Sequence, residues 1–315
     1  MKAQVVRSHQ REFHVKILES GEIVAAKALG NLLKKGETVV VGDFVTLKEV
    51  GGHFEIHGVD KRENEIFRII VREQKKKVTA ANCDALVIVS SVSKPAFKRG
   101  ILDRFLVRAY QWGVQPVIVF NKMDEYDENV MDIEFEASRF KFLEIDCFEI
   151  SAIDKNYKPK YLKKGRKELE QLLGGNTALF LGQSGVGKSK IINSLAGVDL
   201  KTKTVGKGGK GAHSTTWSEI IDVGPFSLID SPGIRSFSLE DIDADELLSC
   251  FPDIVDIAVT CQFKNCKHGE KSKGCAFKEL DPKDPDTEVI TSRLESYLKI
   301  HEEISEKAHW EKNLS

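Results

Sequence analysis

Over roughly the first seventy residues, apolar and polar positions alternate in short runs. QVVRSHQ, EFHVKIL, EIVAAKAL, DFVTLKEV and HFEIHGV are separated by turn residues such as Ser20-Gly21, Gly42-Asp43 and Gly51-Gly52. A period near two at this spacing predicts half-buried strands of a small barrel or sandwich. With five such strands an OB-type barrel is the natural candidate, although composition does not separate it from an SH3-like barrel. Few aromatics here are placed for base stacking, so any RNA contact is expected through backbone or loops and not through base reading.

From Val78 the pattern changes. ALVIVSS (85–91) and PVIVF (116–120) are continuous apolar runs, as in parallel strands buried on both faces. Between them Ile101, Leu102, Phe105, Leu106 and Ala109 recur at helical spacing. Strand and helix continue to alternate through FEIS, ALFLG, the stretch after Lys188, and FSLIDSPG. This predicts an α/β three-layer domain with a mainly parallel sheet. YKPKYLKKGRKE (157–168) reads as a polar loop leading into a helix of that domain. After about residue 243 the strand signal ends, and a charged helix is expected from Thr287 to His309, with Ile290, Leu294, Tyr297, Leu298 and Ile304 on its apolar side. The expected division is 1–72, 73–242 and 243–315, and the 315-residue length accommodates two or three cores.

Charge narrows this little. Charged residues make up 30% of the chain but nearly cancel to a formal −1, so any basic surface must be local. Lys75, Lys76 and Lys77 form one cluster, and Lys201, Lys203, Lys207 and Lys210 a second; each taken alone reads as solvated surface. MKAQVVRSHQ has no apolar signal core, and no stretch approaches the ~18 apolar residues of a membrane span. A cytoplasmic, membrane-free protein is expected. In a reducing compartment its six cysteines do not form a disulfide framework; Cys83 and Cys147 sit beside apolar runs as small buried side chains.

The chemistry begins with GQSGVGKS at 182–189, which fits G-x-x-x-x-G-K-[ST], follows an apolar strand and opens a helix. Gly182, Gln183, Ser184, Gly185, Val186, Gly187, Lys188 and Ser189 are therefore expected to bind phosphates through backbone N–H groups and a helix N-terminus. Lys188 should reach the β- and γ-phosphates, and the Ser189 hydroxyl should ligate Mg²⁺. Asp230 in LIDSPG is placed to hold the same Mg²⁺, and the Gly233 N–H to contact the γ-phosphate. Thr215 or Thr216, which spacing does not separate, should complete the Mg²⁺ shell. NKMD at 121–124 supplies base choice. Asp124 accepts from guanine N1–H and N2–H, Asn121 bonds the base edge, the Lys122 stem covers its plane and Met123 completes the tetrapeptide. Ser151-Ala152 fits a loop whose N–H contacts guanine O6. In an ordinary GTPase the phosphate loop precedes the guanine motif; here the order is reversed, which predicts a circularly permuted P-loop GTPase domain. Ile234 stands where many GTPases carry a water-orienting glutamine, so His213 is the best substitute for positioning the attacking water.

Cys261-x4-Cys266-x-His268-x6-Cys275 gathers three thiols and one imidazole within fifteen residues. This donor set matches a closed, structural Zn²⁺ site, one per chain, in a small and mostly helical C-terminal domain. The surrounding sequence is too polar to build its own core, so the metal should supply much of the folding energy. Cys250 is a competing ligand, though it reads better as a buried thiol.

NKMD, GQSGVGKS, the GAHSTT loop, DSPGIRSF and the Cys/His cluster together resemble the bacterial small-subunit ribosome biogenesis GTPases known as RsgA or YjeQ. The resemblance covers essentially the whole chain. It implies a multidomain protein with an N-terminal OB-type barrel, a permuted GTPase domain and a C-terminal zinc domain. It also implies a GTPase that binds the small ribosomal subunit and its rRNA late in assembly, with GTP favouring binding and subunit-stimulated hydrolysis to GDP driving release. The family histidine of the switch loop matches His213. Two departures stand out: the family usually has five residues between the histidine and last cysteine, where this chain has six, and GRHTTT is commonly found where this chain has GAHSTT, so that Ala212 replaces an arginine. A monomer is expected. The competing readings are an RNA-binding adaptor that uses GTP only as a conformational ligand, and a phosphotransferase or phosphatase built on the same loop.

Overall fold

The computed structural model describes residues 1–9, 12–30, 38–70, 75–197, 218–231, 239 and 241–312, without the side chains of 307–312. The alternating runs near the start form β1 (Lys2–His9), β2 (Glu12–Ile17), β3 (Ile23–Ala28), β4 (Phe44–Val50) and β5 (His53–Val59). They pair in the order β1-β2-β3-β5-β4, and β4 returns to β1, so the sheet closes into a five-stranded barrel. Only β3 and β5 run parallel, which is the connectivity of an OB-type barrel. Ala3, Val5, Phe13, Val15, Val45, Leu47 and Ile56 fill its interior, each an inward position of the predicted alternation.

A hairpin follows, β6 (Glu65–Ile70) and β7 (Lys75–Ala81). The lysine cluster lies on β7 with all three side chains exposed, as a solvated surface; Lys76 also pairs with Glu65 at 2.6 Å and sits 4.2 Å from the centre of the Phe67 ring.

The continuous apolar runs become β8 (Ala85–Ser91), β9 (Pro116–Asn121), β10 (Cys147–Ile150), β11 (Thr177–Leu181) and β13 (Ser227–Asp230), with β12 (Ser218–Asp222) not anticipated. Their order is β10-β9-β8-β11-β13-β12, parallel throughout except for β12. Side chains of one strand alternate between two cores. Leu86 and Ile88 face α1 (Arg99–Trp112) through Leu102, Phe105 and Ala109, while Val87 and Val89 face the side covered by α3 (Arg166–Leu173) and α4 (Lys188–Ala196). A shorter helix, α2 (Ile133–Ser138), follows β9 and is capped by Asp132, whose side chain accepts from Phe135 N. The α1 helix stops at Gly113, whose φ of 68° is the left-handed conformation that closes many helices.

The barrel and the α/β sheet are one continuous sheet. Strand β1 pairs with β12 at Arg7↔Glu219 and Ser8↔Ser218, and Arg7 Nε donates to Glu219 at 2.8 Å. The C-terminal segment is helical: α5 (Ala244–Ser249), α6 (Pro252–Ala258) and α7 (Pro285–Lys312). Leu247, Phe251, Ile254, Leu294, Tyr297 and Ile300 pack around Val107 of α1. Beneath them lies a buried ion network that the sequence did not announce. Arg293 of α7 donates to Asp253 at 2.6 Å and to Asp103 of α1 at 2.5 Å, and Arg139 donates to Asp103 at 3.0 Å. Cys83 is buried and Cys147 half-buried, and burial pushes both thiols up to about 12.

Candidate nucleotide site and metal centre

The expected nucleotide-binding segments leave the sheet at one edge. Asn121 ends β9, Ser151 follows β10, Gly182 follows β11 and Asp230 ends β13. These strands are parallel, so their carboxyl ends lie side by side, where open α/β sheets bind ligands.

Close approach of a backbone carbonyl and of a buried side-chain amide explains two glycines of the phosphate loop. A Cβ on Gly182 (φ 149°) would lie 2.3 Å from the Val89 carbonyl oxygen, and one on Gly187 (φ 99°) would lie 2.3 Å from Asn121 Nδ2. The buried Val186 side chain anchors the loop from below. Lys188 opens α4, and its Nζ donates back across the loop to the carbonyls of Gly182 and Gln183 at 2.7 and 3.0 Å. Ser184, Gly185 and Ser189 are exposed. An exposed loop at the positive end of a helix, with a lysine held across it, suits a polyphosphate.

Both ends of the Asn121 amide are engaged within the protein. Buried at the end of β9, it donates from Nδ2 to the Val186 carbonyl at 2.7 Å and accepts at Oδ1 from Ala152 N at 3.1 Å. One amide thus ties the guanine motif to the phosphate loop and to the 151–152 loop, a role that no local sequence signal carries. Lys122 takes a left-handed backbone (φ 70°) and its Nζ bonds the Lys94 carbonyl. Met123 is buried beneath the turn, and Asp124 is exposed above it. Ser151 Oγ donates to Asp124 Oδ1 at 2.6 Å and accepts from Asp154 N at 3.0 Å, which fixes the rotamer of the carboxylate. One oxygen of Asp124 is held by protein, and the group remains open to a planar donor pair.

Asp230 ends the strand beside β11, so it lies on the Ser189 side of the edge, away from the guanine motif. Next to it Ser231 and Ser218 share a hydroxyl hydrogen bond at 2.9 Å, joining the end of β13 to the start of β12. His213, Thr215, Thr216 and Gly233 lie outside the described residues.

The metal-ligand quartet converges. The ligand atoms of Cys261, Cys266, His268 and Cys275 all lie within 4.8 Å of one another. His268 Nδ1 is 3.5 Å from Cys261 Sγ and 3.8 Å from Cys275 Sγ. Zinc–ligand bonds of about 2.0–2.3 Å in a tetrahedron require similar edges, so the donors fit a zinc ion in type and in spacing. Burial lowers the His268 pKa, which favours the neutral ring that can ligate a metal. The six-residue gap before Cys275 closes through turns: Ser272 N donates to Gly269 O at 2.9 Å, and Gly274 (φ 60°) accepts from Gln262 N at 2.9 Å. Cys250 is not part of the quartet. It is buried among Leu247, Phe251 and Ile254, and burial pushes its thiol up to about 11.

Comparison with known proteins agrees with this geometry. The model of the family described as RsgA GTPase matches residues 59–240. A protein of Flavobacterium johnsoniae named small ribosomal subunit biogenesis GTPase RsgA is 32% identical over 300 residues, covering 90% of this chain and 88% of that one. A protein of the same name from Bacteroides fragilis is 33% identical over 317 residues, covering 97% and 98%. Among solved structures, YjeQ from Thermotoga maritima superposes with a TM-score of 0.70 at 27% identity, over 96% of this chain and 98% of that one. YloQ, described as a circularly permuted GTPase, gives 0.73 at 25% identity over 97% and 95%.

Proposed function

The chain belongs to the RsgA GTPase family, and on that basis we propose that it binds the small ribosomal subunit late in assembly in its GTP state and leaves after hydrolysis. It is a GTP-hydrolysing enzyme of ribosome biogenesis. The observation that carries the guanine assignment is Asp124, held by Ser151 at the same sheet edge that bears the phosphate loop. Two carboxylate oxygens match the paired N–H groups of guanine, whereas adenine presents an acceptor at N1. Lys122 and Met123 shape the base pocket, and Ala152 meets the base edge. Residues 182–189 hold the phosphates and Gly233 the γ-phosphate. Ser189, Asp230 and one of Thr215 or Thr216 would hold Mg²⁺, which would supply positive charge to the phosphates. His213 positions the attacking water. One structural zinc ion per chain sits on Cys261, Cys266, His268 and Cys275, and the working limits of the three domains are 1–72, 73–242 and 243–315. The protein acts as a cytoplasmic monomer whose barrel and zinc domain meet rRNA.

GTP turnover by the purified protein, measured with and without purified small subunits, tests the proposal. Stimulation by small but not large subunits is expected. Turnover absent even with small subunits would favour an adaptor that uses GTP only as a conformational ligand.

A further inference from the structure

Residues 154–168, DKNYKPKYLKKGRKE, carry seven lysines or arginines against two acidic residues, in a chain whose net charge is −1. The segment leaves β10 just after Ser151-Ala152 and leads into α3, so it borders the guanine pocket. Two of its cations are engaged, Lys164 with Asp146 at 2.5 Å and Arg166 with Glu170 at 2.7 Å. Lys158, Lys160 and Lys163 are exposed and form no ion pair among the described residues.

A lysine-rich loop is ordinarily a solvated, fluctuating one, but this loop is fastened from beneath. Glu149 of β10 is completely buried, and its carboxylate accepts from the backbone N–H of Lys160, from Tyr161 N at 3.1 Å, from Leu162 N at 3.1 Å and from the Tyr157 hydroxyl at 3.2 Å. The Glu149 N–H in turn donates to Lys164 O at 3.0 Å. A buried carboxylate is costly unless its oxygens are saturated, so the favourable arrangement requires this arc of backbone to stay folded around it. Tyr161 packs edge-on against Tyr126 with ring centres 5.0 Å apart, and Lys163 holds a left-handed backbone (φ 59°). The tyrosines are thereby turned inward, and the lysines are what the arc presents outward.

We propose that Lys158, Lys160 and Lys163 form a preformed contact for RNA phosphates beside the guanine pocket, with Glu149 as the positioning residue that holds them. This rests on the proposed association with the small subunit. Because the backbone that carries these unpaired ammonium groups is already fixed, binding costs side-chain freedom alone and no backbone ordering. With no aromatic face offered, the contact reads charge and spacing and not base sequence. The inward tyrosines also leave no anchor of the kind that protein interfaces favour.

The triple variant Lys158→Ala, Lys160→Ala, Lys163→Ala tests this. Its affinity for purified small subunits, and separately for protein-free small-subunit rRNA, is measured with a non-hydrolysable GTP analogue from low to moderate salt. Each lost phosphate contact lowers the slope of log K against log salt by roughly 0.7–0.9, so a decrease of about 2–3 is expected on both probes. Affinity for the GTP analogue is expected to be unchanged. Glu149→Gln, which keeps the lysines, is expected to weaken binding to both probes several-fold while retaining most of the slope. Identical slopes for the triple variant and wild type on both probes would overturn the proposal. A slope change on subunits without one on rRNA would assign the lysines to an acidic ribosomal protein and overturn the RNA contact. Wild type that fails to bind subunits would instead sink the proposed function, and the rRNA arm would still decide the lysine contact.

Discussion

The nucleotide loops and the metal-ligand loop are both short irregular segments, yet they are held by different means. Each nucleotide segment hangs from a strand buried on both faces, and Asn121 and Ser151 lash the segments to one another with hydrogen bonds. Between residues 259 and 281, by contrast, only His268 and Cys275 are buried; the His268 and Phe277 rings meet edge-on with centres 5.2 Å apart, and Phe277 rests half-buried against the C-terminal core. The first site is therefore shaped by the core before any ligand arrives. The second has almost no core of its own and depends on its ligand set. Metal loss should unmake one and leave the other standing.

The largest expected effect follows directly. Structural zinc contributes on the order of 10–16 kcal/mol of apparent binding free energy in small metal domains, so Cys266→Ser should release the metal and unfold residues 259–281. Limited proteolysis should then cut within that loop while leaving the α/β sheet intact; uncut loop in metal-free protein would break the contrast.

Next is the joint between the two regions. Arg293→Met removes the cation that Asp103 and Asp253 share; Asp103 keeps Arg139, but buried Asp253 loses its ion-pair partner, at a cost of about 3–5 kcal/mol. Denaturant unfolding should show that loss in the C-terminal helices. A variant as stable as wild type would mean that the apolar contacts around Val107 alone fasten α7.

Within the nucleotide site the effects should be smaller and confined to specificity. Asp124→Asn turns an acceptor into a donor facing the base and should cost about 1–3 kcal/mol of guanine preference, read by GTP–ATP competition. Ser151→Ala removes only the hydroxyl that orients Asp124 and should cost about 0.5–1.5 kcal/mol in the same assay. A larger loss for Ser151→Ala than for Asp124→Asn would reverse their assigned roles.

Much of this architecture was legible because it is local. The period-two runs became β1 to β5, the continuous apolar runs became β8, β9 and β11, and the phosphate loop fell between a strand and a helix, as its motif requires. The three cysteines and one histidine of the candidate metal site, spread over fifteen residues, converge as their spacing implied. What escaped is non-local. No window of sequence connects Ser8 to Ser218, so the pairing of β1 with β12 was invisible. No sequence pattern marks Arg139 or Arg293, and only packing reveals that they are buried against Asp103 and Asp253. The Asn121 tie to Val186 depends on two loops meeting at adjacent strand ends, which the motif spacing does not encode.

Removing the metal from wild-type protein with a chelator, while following guanine-nucleotide affinity and small-subunit binding in the same sample, tests the central contrast most directly. Nucleotide affinity is expected to stay constant as the metal leaves, and subunit binding to fall. Nucleotide affinity that declines in step with metal content would contradict that contrast, because the site at the sheet edge would then depend on the metal loop for its shape.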